Sequence, residues 1–166
     1  MEIKKGIRMN QELLHSLFDY RDGELYWKVN KGTATAGSLA SKRRPDGYAR
    51  VGIDGKRYFA HRLIFLMQYG RLPKCIDHID GNPSNNYLSN LREATHQQNL
   101  YNTKLSTRNN SGTKGVHWHK LSSKWRVILS IHGKKQHIGL FADKELADLV
   151  SIEARDKYHK EFARHE

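Results

Sequence analysis

Ile76-Asp77-His78-Ile79-Asp80-Gly81-Asn82 is the stretch whose reading decides the fold. An Asp-His pair sits between two apolar residues and runs into an Asp-Gly-Asn turn. Ile76–Ile79 reads as a short strand, and Asp80-Gly81-Asn82-Pro83 as the turn that ends it. Ser84, Asn85 and Asn86 prolong the loop, and Leu88–Arg92 reads as a second short strand or extended segment. Thr95-His96-Gln97-Gln98 then matches a capping box, which starts a helix at about His96 and puts Asn99 one turn inside it. A strand–loop–strand–helix unit this small has no core of its own. It must rest on the hairpin and helix before it.

The residue types suggest a chemistry. Hydrolysis of a phosphodiester needs a base for the water, a cation for the developing charge, and in-line geometry. His78 is the natural base, because imidazole titrates near neutral pH. Asp77 offers a hard oxygen ligand and Asn99 a carbonyl oxygen, a sparse set that suits Mg²⁺ with much of its water retained. Asn90 can fix the imidazole through a hydrogen bond at the other ring nitrogen. Neighbours on a regular strand face opposite ways, so Asp77 and His78 serve one phosphate only if the strand ends or bends there. The plain alternative is turn chemistry alone. Asp-His pairs are common, and Asn82, Asn85 and Asn86 are assigned to the loop.

Working outward, Asn10 can cap a helix over Gln11–Asp19, and Glu24–Val29 alternates as a strand. Residues 30–46 read as a loop carrying Lys42-Arg43-Arg44. Gly47–Ile53 and Lys56–Ala60 make a hairpin about Asp54-Gly55. His61–Tyr69 is a helix with an apolar core, in which His61 is assigned a structural role. Met1–Arg8 reads as a frayed end. Residues 103–114 are almost wholly polar and read as a basic linker. Beyond them come three strands, 115–120, 124–132 and 135–142. Asp143 caps a helix over Lys144 to about Phe162, with a stripe of Ala147, Val150, Ala154 and Tyr158. That stripe is expected to cover the sheet face bearing Val127, Leu129 and Ile131. The face bearing Lys124, Arg126, Ile128, Ser130 and His132 stays open.

Charge is the strongest bulk property. The 166 residues carry a formal net charge of +12. Residues 31–74 hold ten Lys/Arg against two acids, and residues 103–142 hold eight against none. Basic charge gathered in two tracts points to a polyanionic partner rather than to general solvation. Cys75 is the single cysteine, which excludes an intramolecular disulfide and a Cys-rich zinc site. No apolar run is long enough to span a membrane.

Asp77-His78-Ile79-Asp80-Gly81-Asn82, Asn90-Leu91-Arg92-Glu93-Ala94-Thr95 and Gln98-Asn99 together resemble the HNH endonucleases of phages and mobile introns, members of the ββα-metal (His-Me finger) superfamily. Gly47-Tyr48, Asp54-Gly55-Lys56 and Ala60-His61-Arg62-Leu63 look like the region preceding that motif. The resemblance implies His78 as general base and Asn90 as the residue that orients it and holds the finger together. It implies Asp77 and Asn99 as ligands of one Mg²⁺ or Mn²⁺ ion per finger. Products with 5′-phosphate and 3′-hydroxyl ends are expected. Asn99 stands where many relatives have His. The second half, through Ser111–Val116, Lys124-Trp125-Arg126, Gly133-Lys134 and Ile138–Phe141, is similar to the DNA-binding domain of plant ethylene-response factors. That likeness implies a three-stranded sheet laid in the major groove. It departs from the family at His117 and His119, where the plant domains carry arginines.

The expected class is α+β: a mixed hairpin and helix region carrying a ββα-metal finger, then a three-stranded antiparallel sheet packed on one helix. The expected domains are an endonuclease domain over 1–102 with its finger at about 75–102, a basic linker over 103–114, and a DNA-binding domain over 115–166. The expected function is that of a homing-type DNA endonuclease. The alternative is a DNA-binding transcriptional regulator with an inactive finger. Double-stranded DNA is the expected partner, contacted by Lys42, Arg43, Arg44, Arg62 and Arg92 in the first half. In the second half the expected contacts are Lys104, Arg108, Lys114, His117, His119, Lys124, Arg126, Lys134 and Lys135. A cytoplasmic monomer in a phage-infected bacterial host is expected, with pairing on DNA left open.

Overall fold

The computed structural model describes residues 9–166; the frayed end expected over Met1–Arg8 lies outside them. The class is α+β, with four helices and several small sheets among the described residues. Two compact units divide the chain, 1–93 and 94–166, so the helix that carries Asn99 falls in the second.

In the first unit α1 spans Gln11–Leu17, and the Asn10 side chain accepts from Leu13 N at 2.9 Å. It stops short of the expected Asp19, because Phe18 turns into strand β1 (Phe18–Arg21), antiparallel to β2 (Glu24–Trp27). The exchange favours burial: Phe18 lies opposite Trp27 with ring centroids 4.6 Å apart, and both are buried. Strands β3 (Ser41–Arg43), β4 (Ala49–Ile53) and β5 (Lys56–Phe59) form an antiparallel sheet. Asp54 and Gly55 both take positive φ, 48° and 76°, as a two-residue hairpin turn requires. The expected loop over 30–46 thus ends in a strand, too short and too basic to show alternation. Helix α2 (Ala60–Tyr69) buries Leu63, Ile64, Phe65, Leu66 and Met67. With Leu14, Phe18, Leu25 and Val51 these form the core, each large apolar side chain contributing roughly 1.5–3 kcal/mol.

Strand β6 (Cys75–His78) pairs with β7 (Leu91–Ala94) on top of that base. Leu88–Asn90 is a single 3₁₀ turn rather than part of an extended segment, closed by Asn90 N donating to Tyr87 O at 2.8 Å.

In the second unit α3 (His96–Tyr101) carries the full capping box. Gln98 N donates to Thr95 Oγ1 at 3.2 Å, and Thr95 N donates to Gln98 Oε1 at 2.7 Å. Residues 103–114 have no regular structure but are tied down: Asn109 Nδ2 donates to Thr113 O, and Lys114 Nζ donates to Thr103 O. Strands β8 (Val116–His119), β9 (Lys124–Ile131) and β10 (Lys134–Phe141) form an antiparallel sheet with β9 central. Helix α4 spans Lys144–His159 and ends at Lys160, where φ is +52° and a 3₁₀ turn follows to Phe162. Its buried line is Ala147, Ser151, Arg155 and His159, not the expected Ala147, Val150, Ala154 and Tyr158. Tyr158 is exposed. The polar members are buried because each has a partner. Ser151 Oγ donates to Lys114 O at 2.6 Å, Arg155 donates to Tyr101 O and Arg164 O, and His159 Nε2 lies 2.8 Å from Ser130 O.

Candidate active site

Strand β6 ends at His78, and the chain turns at once, with Gly81 N donating to His78 O at 2.8 Å. The two neighbours keep the opposite directions of a strand, yet both are buried, Asp77 at 3% exposure and His78 at 6%. The bend that would let both reach one phosphate therefore comes after His78, not between the pair.

His78 enters an aromatic pocket. Its ring lies 5.1 Å from that of His61 and 6.0 Å from that of Tyr48, edge to face in both cases. Its Nε2 is 3.0 Å from Oδ1 of Asn86, which is 1% exposed. With that oxygen accepting, the neutral ring carries its proton on Nε2, and Nδ1 is the basic nitrogen. The Asn86 Nδ2 is buried without a partner. Such a group costs about 1–3 kcal/mol, so the site retains it against stability. His61, the second residue of α2, is held neutral to about pH 3 by burial first, then by His78 and Arg62. Burial also raises the Tyr48 hydroxyl, helped by Asp46, Cys75 and Asp77.

Asn90 does not supply the hydrogen bond expected at the imidazole. Its Oδ1 accepts from Asp80 N at 3.0 Å, and its Nδ2 donates to Asp80 Oδ1 and Asn85 O at 2.9 and 2.8 Å. Asn90 therefore shapes the loop, and Asn86, which the sequence left in the loop, is the residue on the histidine. Nothing in the sequence separates Asn86 from Asn82 or Asn85, since all three fit turn chemistry; only burial distinguishes it. Asp80 is the hub. Burial opposes its charge, but the bonds from Asn82 N, Asn85 and Asn90, with His78 nearby, hold its carboxyl below the usual range.

Asp77 pairs with Arg92, whose Nε and terminal nitrogen each lie 2.8 Å from Oδ2. Arg92, expected on DNA, is thus the charge partner of the candidate metal ligand. Asn99 lies in the first turn of α3, its N–H donating to Thr95 O at 3.1 Å. Among the described residues no group of three or more His, Cys, Asp or Glu could hold a metal ion. Asp77 lies in the first unit and Asn99 in the second, and each offers a side-chain oxygen. Oxygen donors suit a hard ion that keeps much of its own water.

The other expected DNA contacts separate into engaged and open side chains. Arg43 pairs with Glu24 at 2.6 Å and Arg44 with Asp46 at 3.0 Å. Arg62 donates to Pro73 O and Lys74 O and so braces the entry to β6. Lys114 is turned inward onto the Thr103 and Arg164 carbonyls; burial, with Arg155 and Arg164 beside it, lowers its amine to about pH 8. His119 Nδ1 lies 2.7 Å from Ser122 Oγ. Lys42, Lys104, Arg108, His117, Lys124, Lys134 and Lys135 are exposed. His117 stands opposite Arg126, and His119 opposite Lys124, on the sheet face away from Val127.

A buried strand-end histidine, an asparagine-laced loop and a capped helix following in sequence define a class, and comparison with known proteins agrees: residues 58–101 match the HNH endonuclease family. The chain is 39% identical over 108 residues to protein 3.8 of Escherichia phage T7, covering 63% of this chain and 87% of that protein, and it belongs to the family of that phage protein. No solved structure matches. The family match supports a DNA nuclease. No helix among the described residues is long and apolar enough to cross a membrane.

Proposed function

We propose that the protein is a divalent-metal-dependent DNA endonuclease that hydrolyses phosphodiester bonds with His78 as general base. The observation that carries this is the His78–Asn86 contact inside a buried pocket. It fixes one ring nitrogen and leaves the tautomer whose Nδ1 takes a proton from water. Asn90, through Asp80 and Asn85, holds the loop that presents the imidazole. Asp77 and Asn99 are the proposed ligands of one Mg²⁺ or Mn²⁺ ion, a reading that rests on motif spacing and on their oxygen chemistry. When bound, the ion supplies positive charge against the phosphorane and the leaving oxygen. Arg92 orients Asp77 for that task.

The open face of β8–β10 is the proposed duplex-binding surface, and residues 115–166 set where the protein sits on DNA. The proposed layout is an endonuclease domain over 1–102, a basic connector over 103–114 and a DNA-binding domain over 115–166. The homing habit, 5′-phosphate and 3′-hydroxyl ends, and action within a phage-infected bacterium are parts of the same proposal. The regulator reading is disfavoured, because a relic has no need of a buried, partly unpartnered asparagine against His78.

The test is nicking of supercoiled plasmid with Mg²⁺ or Mn²⁺ by the wild type and by His78→Ala. Metal-dependent nicks from the wild type alone are expected. Identical products from both, or no cutting by either, would overturn the reading.

A further inference from the structure

The outer face of the β3–β4–β5 sheet concentrates positive charge that its own acids do not answer. Lys42 stands directly opposite Arg50 across β3 and β4, and Arg57 directly opposite Gly52 across β4 and β5. Arg50 and Gly52 are two apart on one strand and share a face, whereas Val51 and Ile53 between and beyond them point into the core. Lys42, Arg50 and Arg57 therefore line the outer face together. Like charges placed opposite one another across strands destabilise a sheet. The nearby acids are engaged elsewhere: Asp54 with Lys31, Glu24 with Arg43, and Asp46 with Arg44. The Arg50 guanidinium lies over the Phe59 ring, 4.5 Å from its centroid, which holds it flat against the sheet.

An open groove of about 1020 Å³ runs over this face, lined by these three cations with Lys31, Arg43 and Arg44 on its walls. A Cβ built on Gly52 would meet nothing within 4 Å, so the strand backbone itself lies open on the groove floor. The groove is also coupled to the finger. Ser84 Oγ donates to Gly47 O at 2.9 Å, and Arg43 donates to Ser84 O at 3.3 Å, which fastens the β3–β4 connection to the loop that follows His78.

We propose that this groove binds the sugar–phosphate backbone of duplex DNA, as a grip separate from the C-terminal sheet, with Lys42, Arg50 and Arg57 as its contacts. A row of cations is answered throughout its length by a row of phosphates, whereas an acidic peptide brings carboxylates singly. Guanidinium groups match phosphate oxygens in pairs. The bonds through Ser84 pass the register of the gripped backbone to the loop beside His78, so a strand held here is held relative to the base. The inference rests on the DNA-nuclease reading, but its test does not require cleavage.

The experiment is equilibrium binding of the full chain to a duplex without metal, across a salt series. Three proteins are compared: the wild type, Lys42→Gln/Arg50→Gln/Arg57→Gln, and Lys28→Gln/Lys56→Gln/Lys74→Gln, which removes the same charge from other places on this unit. Each phosphate left without its cation lowers the slope of log K against log salt by about 0.9, so the groove variant should lose about 2–3 in slope and roughly tenfold or more in affinity at moderate salt. The second variant should lose less than about 1. Arg57→Gln alone, at an exposed edge position, should lose about 1 and keeps the test open if the triple variant does not fold. Unchanged slopes in the groove variants, or equal losses in both triples, would overturn the proposal. Loss of binding with no cleavage by the wild type would leave the groove standing and remove the nuclease.

Discussion

The two units bury polar groups for opposite ends. The first has a broad apolar core, and most of its buried polar side chains gather at the finger: Asp77, His78, Asn86 and Asn90, with His61 against them. The second has a small apolar cluster of Val116, Val127 and Ala147, and its helix turns Ser151, Arg155 and His159 inward. Those side chains bond the carbonyls of Tyr101 at the end of α3, Lys114 at the end of the connector, Ser130 on β9 and Arg164 after α4. On the proposed function, polar burial in the first unit serves reactivity above a broad apolar core. In the second it is part of what holds the unit together. Substitutions should divide accordingly, with lost chemistry on one side and lost stability on the other.

His78→Ala should have the largest effect. Removal of a general base costs about 10²–10⁴ in rate, and plasmid nicking should fall by that factor. DNA affinity should stay within error, and the melting transition should fall by no more than the loss of one buried side chain and its bond to Asn86 implies, because Leu14, Phe18, Val51 and Ile64 carry the fold. A variant that loses its melt together with its activity would erase the distinction between the units. Asn86→Ala should fall between the two proteins. It should lower kcat and change the shape of the pH profile without a comparable loss of binding.

Acid sharpens the comparison next. His61 stays neutral in the fold to about pH 3, against an ordinary value of 6.5, because it is buried and faces His78, Arg62 and the Tyr48 ring. The unfolded chain therefore takes up the proton first. Stability is fully present above pH 6.5 and falls as the pH drops toward 3, by as much as ~4 kcal/mol. His61→Phe should flatten that fall in urea melts of the full chain between pH 7 and pH 4. An equally steep acid loss in the variant would place the sensitivity elsewhere, the buried His159 of the second unit being the next candidate.

These contrasts show what local sequence can and cannot carry. The hairpin at Asp54-Gly55, the capping box at Thr95 and the three C-terminal strands were legible, because turn dihedrals, cap bonds and alternation are properties of neighbouring residues. Asp77, His78, Asn90 and Asn99 were legible as a spacing. The partner of the imidazole was not, since burial alone separates Asn86 from the asparagines beside it. Arg43, Arg92 and Lys114 read as DNA contacts because Glu24, Asp77 and the Arg164 carbonyl that engage them are distant in sequence. The buried face of α4 was misread for a related reason. Ser151, Arg155 and His159 are polar by composition and become interior only once the carbonyls of Lys114, Tyr101, Arg164 and Ser130, which lie on other segments, are in place.

Arg155→Met tests the second unit directly. The substitution keeps an unbranched, flexible apolar stem, though a shorter one, and removes the donor to Tyr101 O and Arg164 O. Charged hydrogen bonds of this kind are worth about 1.5–3 kcal/mol, partly offset here because Lys114 loses a like-charged neighbour. A loss of about 2 kcal/mol in denaturant unfolding is expected, with nicking per folded molecule little changed. Unaltered stability would mean that the inward arginine is incidental.

Thr95→Ala should have the smallest effect on stability and the most informative one. Thr95 Oγ1 accepts from Gln98 N, and Gln98 reaches back to Thr95 N, so the pair fixes where α3 begins. Loss of such a cap costs about 1 kcal/mol, and a helix of six residues has little else of its own to oppose fraying. Asn99 stands in the first turn, where fraying begins, so its carbonyl should lose its setting before the helix loses its place. Cleavage should therefore fall more than the melting temperature implies, and the metal concentration needed for half-maximal nicking should rise. Thr95→Ser restores the hydroxyl and should restore both readouts. If Thr95→Ala shifts stability and metal requirement in proportion, or Thr95→Ser fails to rescue, the cap is only structural and Asn99 is not the second ligand. A selective change in metal requirement would keep Asn99 as the proposed second ligand.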